Sequence, residues 1–224
     1  MLVNFPVNGT RARGYLAVPE TGSGPGVIVL QEWWGLVDHI KEICDRLAEE
    51  GFTALAPDMY DGDCTTDPDE AGRLMMALDV PKVAQDLAGA VAFLRSHDAC
   101  GSARVGVMGF CLGGQLALFA ACENPGAVGA CVNFYGVHPN IQPDVTRLEC
   151  PVLGLFAERD GFVTPEVVAG LDERLTAAGK PHEFRTYEGV DHAFMNDPRP
   201  DVHDADAAAD AWGRTIEFLR AHLA

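Results

Sequence analysis

Positive charge is what this chain most lacks. Sixteen lysines and arginines stand against 33 aspartates and glutamates in 224 residues, a formal net charge of −17, and only three of the basic residues are lysine. Nucleic acid and anionic membrane surfaces are held by basic faces, so neither is expected as a partner. Paired cysteines are missing too. The seven, at positions 44, 64, 100, 111, 122, 131 and 150, include no C-x-x-C motif, and an odd, scattered set fits reduced thiols better than a disulfide framework or a zinc site. His97 and Cys100 have ligand-like spacing, but no second pair completes a site. The longest apolar stretch, around 110–122, is broken by glycines and Gln115 and is too short to span a bilayer. The opening Met1-Leu2-Val3-Asn4-Phe5-Pro6 lacks the charged and apolar regions of a signal peptide, which leads to the expectation of a cytoplasmic protein. There is no phosphate-cradling glycine loop with a nearby lysine, so no nucleotide cofactor is expected, and no metal either.

What is present describes an ordinary globular chain. Apolar residues make up 48% and charged residues 22%, and this length fills one core, so a single domain over 1–224 is expected. No repeat, linker or low-complexity tract divides it. Residues 2–7 and 13–18 alternate as an antiparallel pair joined near Asn8-Gly9. Short apolar runs at 26–30, 52–56, 104–108, 127–135 and 152–157, with 182–187, predict further strands. Helical spacing recurs at 38–50, 69–79, 81–97, 165–178 and 205–222, with a further helix at 115–121. Strands alternating with helices imply an α/β fold, a mostly parallel sheet covered on both faces with an antiparallel N-terminal edge. In such sheets sites lie at the carboxyl ends of strands.

The most informative stretch is Gly109-Phe110-Cys111-Leu112-Gly113-Gly114, between the strand ending at Met108 and the helix over 115–121. It has the form of a nucleophile elbow, G-x-nucleophile-x-G, with cysteine as the nucleophile. A turn that tight needs glycine two residues to either side, where side chains would clash. Cys111 thereby stands at a helix N-terminus, whose dipole and N–H groups favour a thiolate. Read alone, the motif could equally be a glycine-rich turn around a buried cysteine.

Other chemistry-bearing residues also fall at strand ends. Gln31-Glu32-Trp33-Trp34 follows strand 26–30, Asp160 follows strand 152–157, and His192 follows strand 182–187. Nucleophile, Asp, His is the chain order of the α/β-hydrolase triads. Cys111 needs a base near neutral pH, His192 can take and return the proton, and Asp160 can fix the imidazole tautomer. Asp191 competes for that last role, but a side chain adjacent to His192 in an extended loop points away. His182, preceded by Pro181, is expected to be exposed, and His138 is a weaker rival base. Glu32, at the end of a buried strand beside two tryptophans, is costly unless hydrogen-bonded or functional; capping the following loop is its structural alternative. Tyr60, Phe134, Tyr135 and Phe162 suit pocket wall and core equally well, and Trp33 and Trp34 suit the mouth of a small pocket.

The elbow, the Gln31-Glu32 pair ahead of an aromatic residue and Gly35, the Ala56-Pro57-Asp58-x-Tyr60 strand end and Asn133-Phe134-Tyr135-Gly136 together resemble the dienelactone hydrolase family over nearly the whole chain. That resemblance implies an α/β-hydrolase fold without a large cap. It implies a carboxymethylenebutenolidase-like hydrolase of small esters or lactones working through Cys111, His192 and Asp160 and an acyl-enzyme intermediate. It also implies that Glu32 helps to activate the cysteine, and that the backbone N–H groups of Trp33 and Leu112 form the oxyanion hole. One family feature is absent. The arginine expected four residues after the histidine is Asn196, which cannot supply a bidentate charged fork; Arg73 and Arg199 are displaced substitutes for a carboxylate clamp. The opposing reading is a catalytically weak relative that binds a lactone or aromatic metabolite. Nothing in the chain demands a partner subunit, and a monomer taking a small-molecule substrate is expected.

Overall fold

The computed structural model describes residues 1–7 and 9–223. In chain order the elements are β1 (Leu2–Val7), β2 (Thr10–Ala17), β3 (Gly26–Leu30), α1 (Asp38–Glu49), β4 (Thr53–Pro57), α2 (Pro68–Met76) and α3 (Val80–Ser96). They continue with β5 (Val105–Phe110), α4 (Leu112–Glu123), β6 (Val128–Phe134), β7 (Val152–Ala157), α5 (Pro165–Ala177), β8 (His182–Tyr187) and α6 (Ala205–Leu223). The eight strands form one sheet in the order β1-β2-β4-β3-β5-β6-β7-β8. β1–β2 and β2–β4 pair antiparallel, and every later pairing is parallel. This is the expected mostly parallel sheet with an antiparallel N-terminal edge. No helix among the described residues is long and apolar enough to cross a membrane.

Both faces are apolar because the central strands are buried on both sides, and alternate residues feed two separate cores. Ile28 and Leu30 of β3 and Val105 and Val107 of β5 join the core beneath α3, α4 and α5. Val27 and Val29, with Met108 and Phe110, join the core beneath α1 and α6. The helices begin where the sequence supplies caps. Asp67 accepts a hydrogen bond from the Glu70 N–H at 2.9 Å ahead of α2, and Asp79 accepts one from the Lys82 N–H at 3.2 Å ahead of α3. Pro68 and Pro81 sit in those first turns, where a missing N–H costs nothing.

Several boundaries differ from the sequence reading; the helix expected over 69–79, for one, ends at Met76. The second strand starts at Thr10 rather than 13, because Val7 pairs directly with Thr10 and the Thr10 hydroxyl donates to the Val7 carbonyl at 2.8 Å. The expected junction at Asn8 lies outside the described residues. At the elbow, β5 runs to Phe110 and α4 starts at Leu112, leaving Cys111 alone between them. Gly113 and Gly114 do not delay the helix; they let it press against neighbouring backbone. A Cβ on Gly113 would overlap the carbonyls of Leu30 and Gln31, and one on Gly109 would overlap the Gly113 carbonyl.

The strand order sets the site. From β3 the chain steps outward to β4, then returns past β3 to β5 and proceeds the other way through β6, β7 and β8. β3 and β5 therefore flank the switch point, where loops at the strand ends diverge and leave a crevice.

Two glycine substitutions should separate packing from propensity. Gly113→Ala is expected to lower the melting temperature by several degrees, on the order of 1–3 kcal/mol of overpacking. Gly170→Ala, on α5 with open space around its Cβ position, should be neutral or stabilising by up to about 1 kcal/mol. Thermal unfolding of both variants checks the contrast.

Candidate active site

Cys111 is held by backbone on every side. Its N–H donates to the Phe134 carbonyl of β6 at 3.0 Å, and its own carbonyl accepts from the Gly114 N–H at 3.0 Å. Its φ of 54° and ψ of −118° place a cysteine in territory that favours glycine. Four described residues other than glycine have positive φ; three of them, Cys111, Tyr135 and Ala193, line the same cavity. Strain of this kind persists only where surroundings over-determine it, and it collects at working sites.

Asp160 and His192 are brought to Cys111 by the loops after β7 and β8. The imidazole Nδ1 lies 2.5 Å from Asp160 Oδ2. The other carboxylate oxygen accepts the backbone N–H groups of Phe162 and Val163, each at 2.8 Å. Burial would push the Asp160 carboxyl up, but the bond from His192 and the two backbone donors hold it below the ordinary carboxylate range. For His192 burial works downward; hydrogen bonds to Asp160 and to the Cys111 thiol outweigh it and raise the imidazole from 6.5 to about 10. Thiol, imidazole and carboxylate thus lie in a row, an arrangement that can hold a thiolate–imidazolium pair. Asp191 is exposed and takes no part.

Glu32 is buried at the end of β3. Burial pushes its carboxyl upward, opposed by His39, by the hydrogen bond from Asn196 and by the charges of His192 and Arg199. Asn196 Nδ2 donates to Glu32 Oε2 at 2.6 Å. Its neighbour Asp197 meets the buried His39 of α1, with Oδ1 3.2 Å from Nδ1. The loop after β8 therefore ties down both ends of the segment that leads from β3 into α1.

A cavity of about 430 Å³ opens over these groups. Glu32, Cys111 and His192 line it, as do Trp33, Trp34 and Leu112. The tryptophan rings meet edge-on with centroids 4.9 Å apart. Leu112 is the first residue of α4, and a helix's first N–H groups have no partner within it. Of the four aromatic residues left between wall and core, Tyr135 and Phe162 line the cavity, with ring centroids 5.0 and 5.4 Å from that of His192. Phe134 is wholly buried against Phe110 in the core, and Tyr60 is buried away from the cavity. Arg73 is exposed and paired with Glu70 on α2, outside the lining, whereas Arg199 reaches the wall.

His182 is not exposed as expected. Its ring is half-buried against Phe184, with Nε2 3.0 Å from Asp172 and Nδ1 2.8 Å from the Lys180 carbonyl, so it fastens β8 to α5. His138 does line the cavity, but burial lowers its pKa and its Nδ1 is engaged by the Asn140 N–H at 3.2 Å. The sequence reading missed the part played by Asn196 as the partner of Glu32. The available signal was its position four residues after His192, read only as a missing cation.

The profile of the dienelactone hydrolase family matches residues 12–223. The chain is 40% identical to "Protein usf" of Aquifex pyrophilus, covering 99% of this chain and 98% of that one. An Aquifex aeolicus protein named "Putative carboxymethylenebutenolidase" is 37% identical with the same coverage. A solved dienelactone hydrolase-like promiscuous phosphotriesterase from metagenomic libraries superposes with a TM-score of 0.90 at 25% identity, over 100% of this chain and 98% of that one. With sequence and architecture agreeing from the second strand to the last helix, the chain belongs to the dienelactone hydrolase family and carries its α/β-hydrolase fold.

Proposed function

We propose that this chain is a cysteine-dependent hydrolase of small esters or lactones, acting through Cys111, His192 and Asp160. The observation that carries the reading is the row at the mouth of α4. A carboxylate 2.5 Å from an imidazole sits behind a thiol that the elbow holds at a cavity floor. Support comes also from family membership and from the carboxymethylenebutenolidase name of the Aquifex aeolicus relative.

In this reading the Cys111 thiolate attacks the substrate carbonyl, forming a C–S bond and moving the π electrons onto oxygen. The backbone N–H groups of Leu112 and Trp33 stabilise that oxyanion, a contribution worth roughly 10²–10³ in rate for one such donor. His192 gives its proton to the departing alkoxide as the C–O bond breaks. Water then attacks the thioester, with His192 accepting its proton, and the acid leaves as the thiolate re-forms. Asp160 keeps the imidazole oriented and its cation stabilised. Glu32, a buried carboxyl on the same cavity, adjusts the charge state of the cysteine. A reducing, cytoplasmic setting accords with the seven unpaired thiols, and the protein works as a monomer on a small-molecule substrate.

Cys111→Ser should fold with an unchanged melting temperature and lose about 10²-fold or more in kcat/KM toward an activated ester, because a hydroxyl demands a far stronger base. Near-normal turnover by that variant would sink the thiolate mechanism. Glu32→Gln keeps an acceptor for Asn196 and should cut kcat/KM by roughly tenfold or more with little change in melting temperature. A large stability loss with intact activity would instead make Glu32 structural.

The raised His192 pKa also has a stability signature. The protonated ring is favoured by folding, so its contribution is fully present below about 6.5 and fades as pH rises toward about 10. The melting-temperature gap between the native protein and His192→Gln should therefore be widest just below pH 6.5 and narrow steadily toward pH 10. Calorimetry across that range measures it.

A further inference from the structure

We infer that the cavity takes neutral esters and lactones and discriminates against substrates that carry a carboxylate. This inference rests on the hydrolase reading and narrows its substrate class.

The charges on the cavity wall leave nothing to hold an anion. Arg199 is the only lysine or arginine side chain lining it among the described residues, and that guanidinium is already engaged. Its Nη2 lies 2.8 Å from Asp201 Oδ2, and its carbon stands 6.0 Å from the Trp34 ring centroid. The His192 cation is matched by Asp160 on one side and faces the thiol on the other. His138, its pKa lowered by burial, adds no cation at neutral pH. Asn196, the other donor of the loop after β8, has its amide committed to Glu32 at 2.6 Å.

What remains on the wall is uncharged or acidic: the Glu32 carboxyl, which repels an anion when ionised, the Tyr135 hydroxyl and the His138 ring. Around them stand Trp33, Trp34, Met75, Leu112, Val137 and Phe162. A carboxylate moved from water onto such a wall loses its hydration without gaining an uncommitted cation as partner. The net charge of −17 adds repulsion at longer range. Neutral acyl and leaving groups meet neither penalty, and their apolar surface finds aromatic and aliphatic partners.

Two measurements test this. The first compares kcat/KM for 4-nitrophenyl butyrate with that for the 4-nitrophenyl monoester of glutaric acid, using Cys111→Ala as the blank. The neutral ester should be favoured by roughly tenfold or more. The second needs no turnover. Alkylation of Cys111, followed by peptide mass, is timed with neutral iodoacetamide and anionic iodoacetate and referred to the same pair on N-acetylcysteine. Cys111 should prefer the amide by about tenfold more than the free thiol does.

Equal or better use of the carboxylate ester, or an iodoacetate rate matching the free-thiol ratio, would overturn the inference. If Arg199→Ala then selectively weakened the carboxylate ester, Arg199 would be an anion clamp, again overturning it. Failure to hydrolyse either ester above the blank would count against the hydrolase reading, and the alkylation ratio would then decide the charge preference alone.

Discussion

The backbone at Cys111 is the constraint to which the rest of the site refers. A residue with φ of 54° cannot hold that conformation by its own preferences. It is held because its N–H is bonded to β6, its carbonyl is bonded into α4, and Gly113 lets the helix lie directly on the end of β3. Each contact removes a direction in which the turn could relax. The side chain is consequently delivered to one point above the sheet, and the loops after β7 and β8 have a fixed target to meet. Rigidity in the backbone spares the cysteine from being oriented by side-chain packing alone, and leaves it lining the cavity.

Two buried carboxyl groups, Glu32 on the cavity and Asp160 behind His192, illustrate how environment acts on one chemistry. Asp160 receives two backbone N–H groups and the His192 ring, and these outweigh its burial. Glu32 receives one amide hydrogen bond, and burial wins. Identical chemistry is thus pushed in opposite directions on either side of His192. Asp160 is held as an anion, whereas burial works against charge on Glu32.

Much of this was legible in the sequence, for identifiable reasons. Strands buried on both faces write themselves as short apolar runs, so β3 through β7 and the parallel order they imply were readable. The elbow was readable because its glycines answer a steric demand, and the residues at strand ends because that is where a parallel sheet puts chemistry. What escaped depended on distance in three dimensions. Nothing local distinguishes Phe134, packed into the core, from Tyr135 beside it on the cavity wall; one reversal of backbone at φ 41° separates them. His182 read as exposed because α5 and Phe184, which cover it, are contacts that no local pattern announces. Asn196 read as a deficit because its partner, Glu32, lies at the other end of the chain, and a hydrogen bond across that span leaves no trace in spacing.

The strand order has a consequence for the chain before it is folded. Cys111 lies on a central strand, whereas His192 follows β8, the far edge of the sheet and the last strand in sequence. Until that edge has docked, the thiol has no imidazole beside it. The row of thiol, imidazole and carboxylate is therefore assembled only with the complete sheet. Under the proposed thiolate mechanism, a chain that traps an electrophile quickly reports by that act that its far sheet edge is in place.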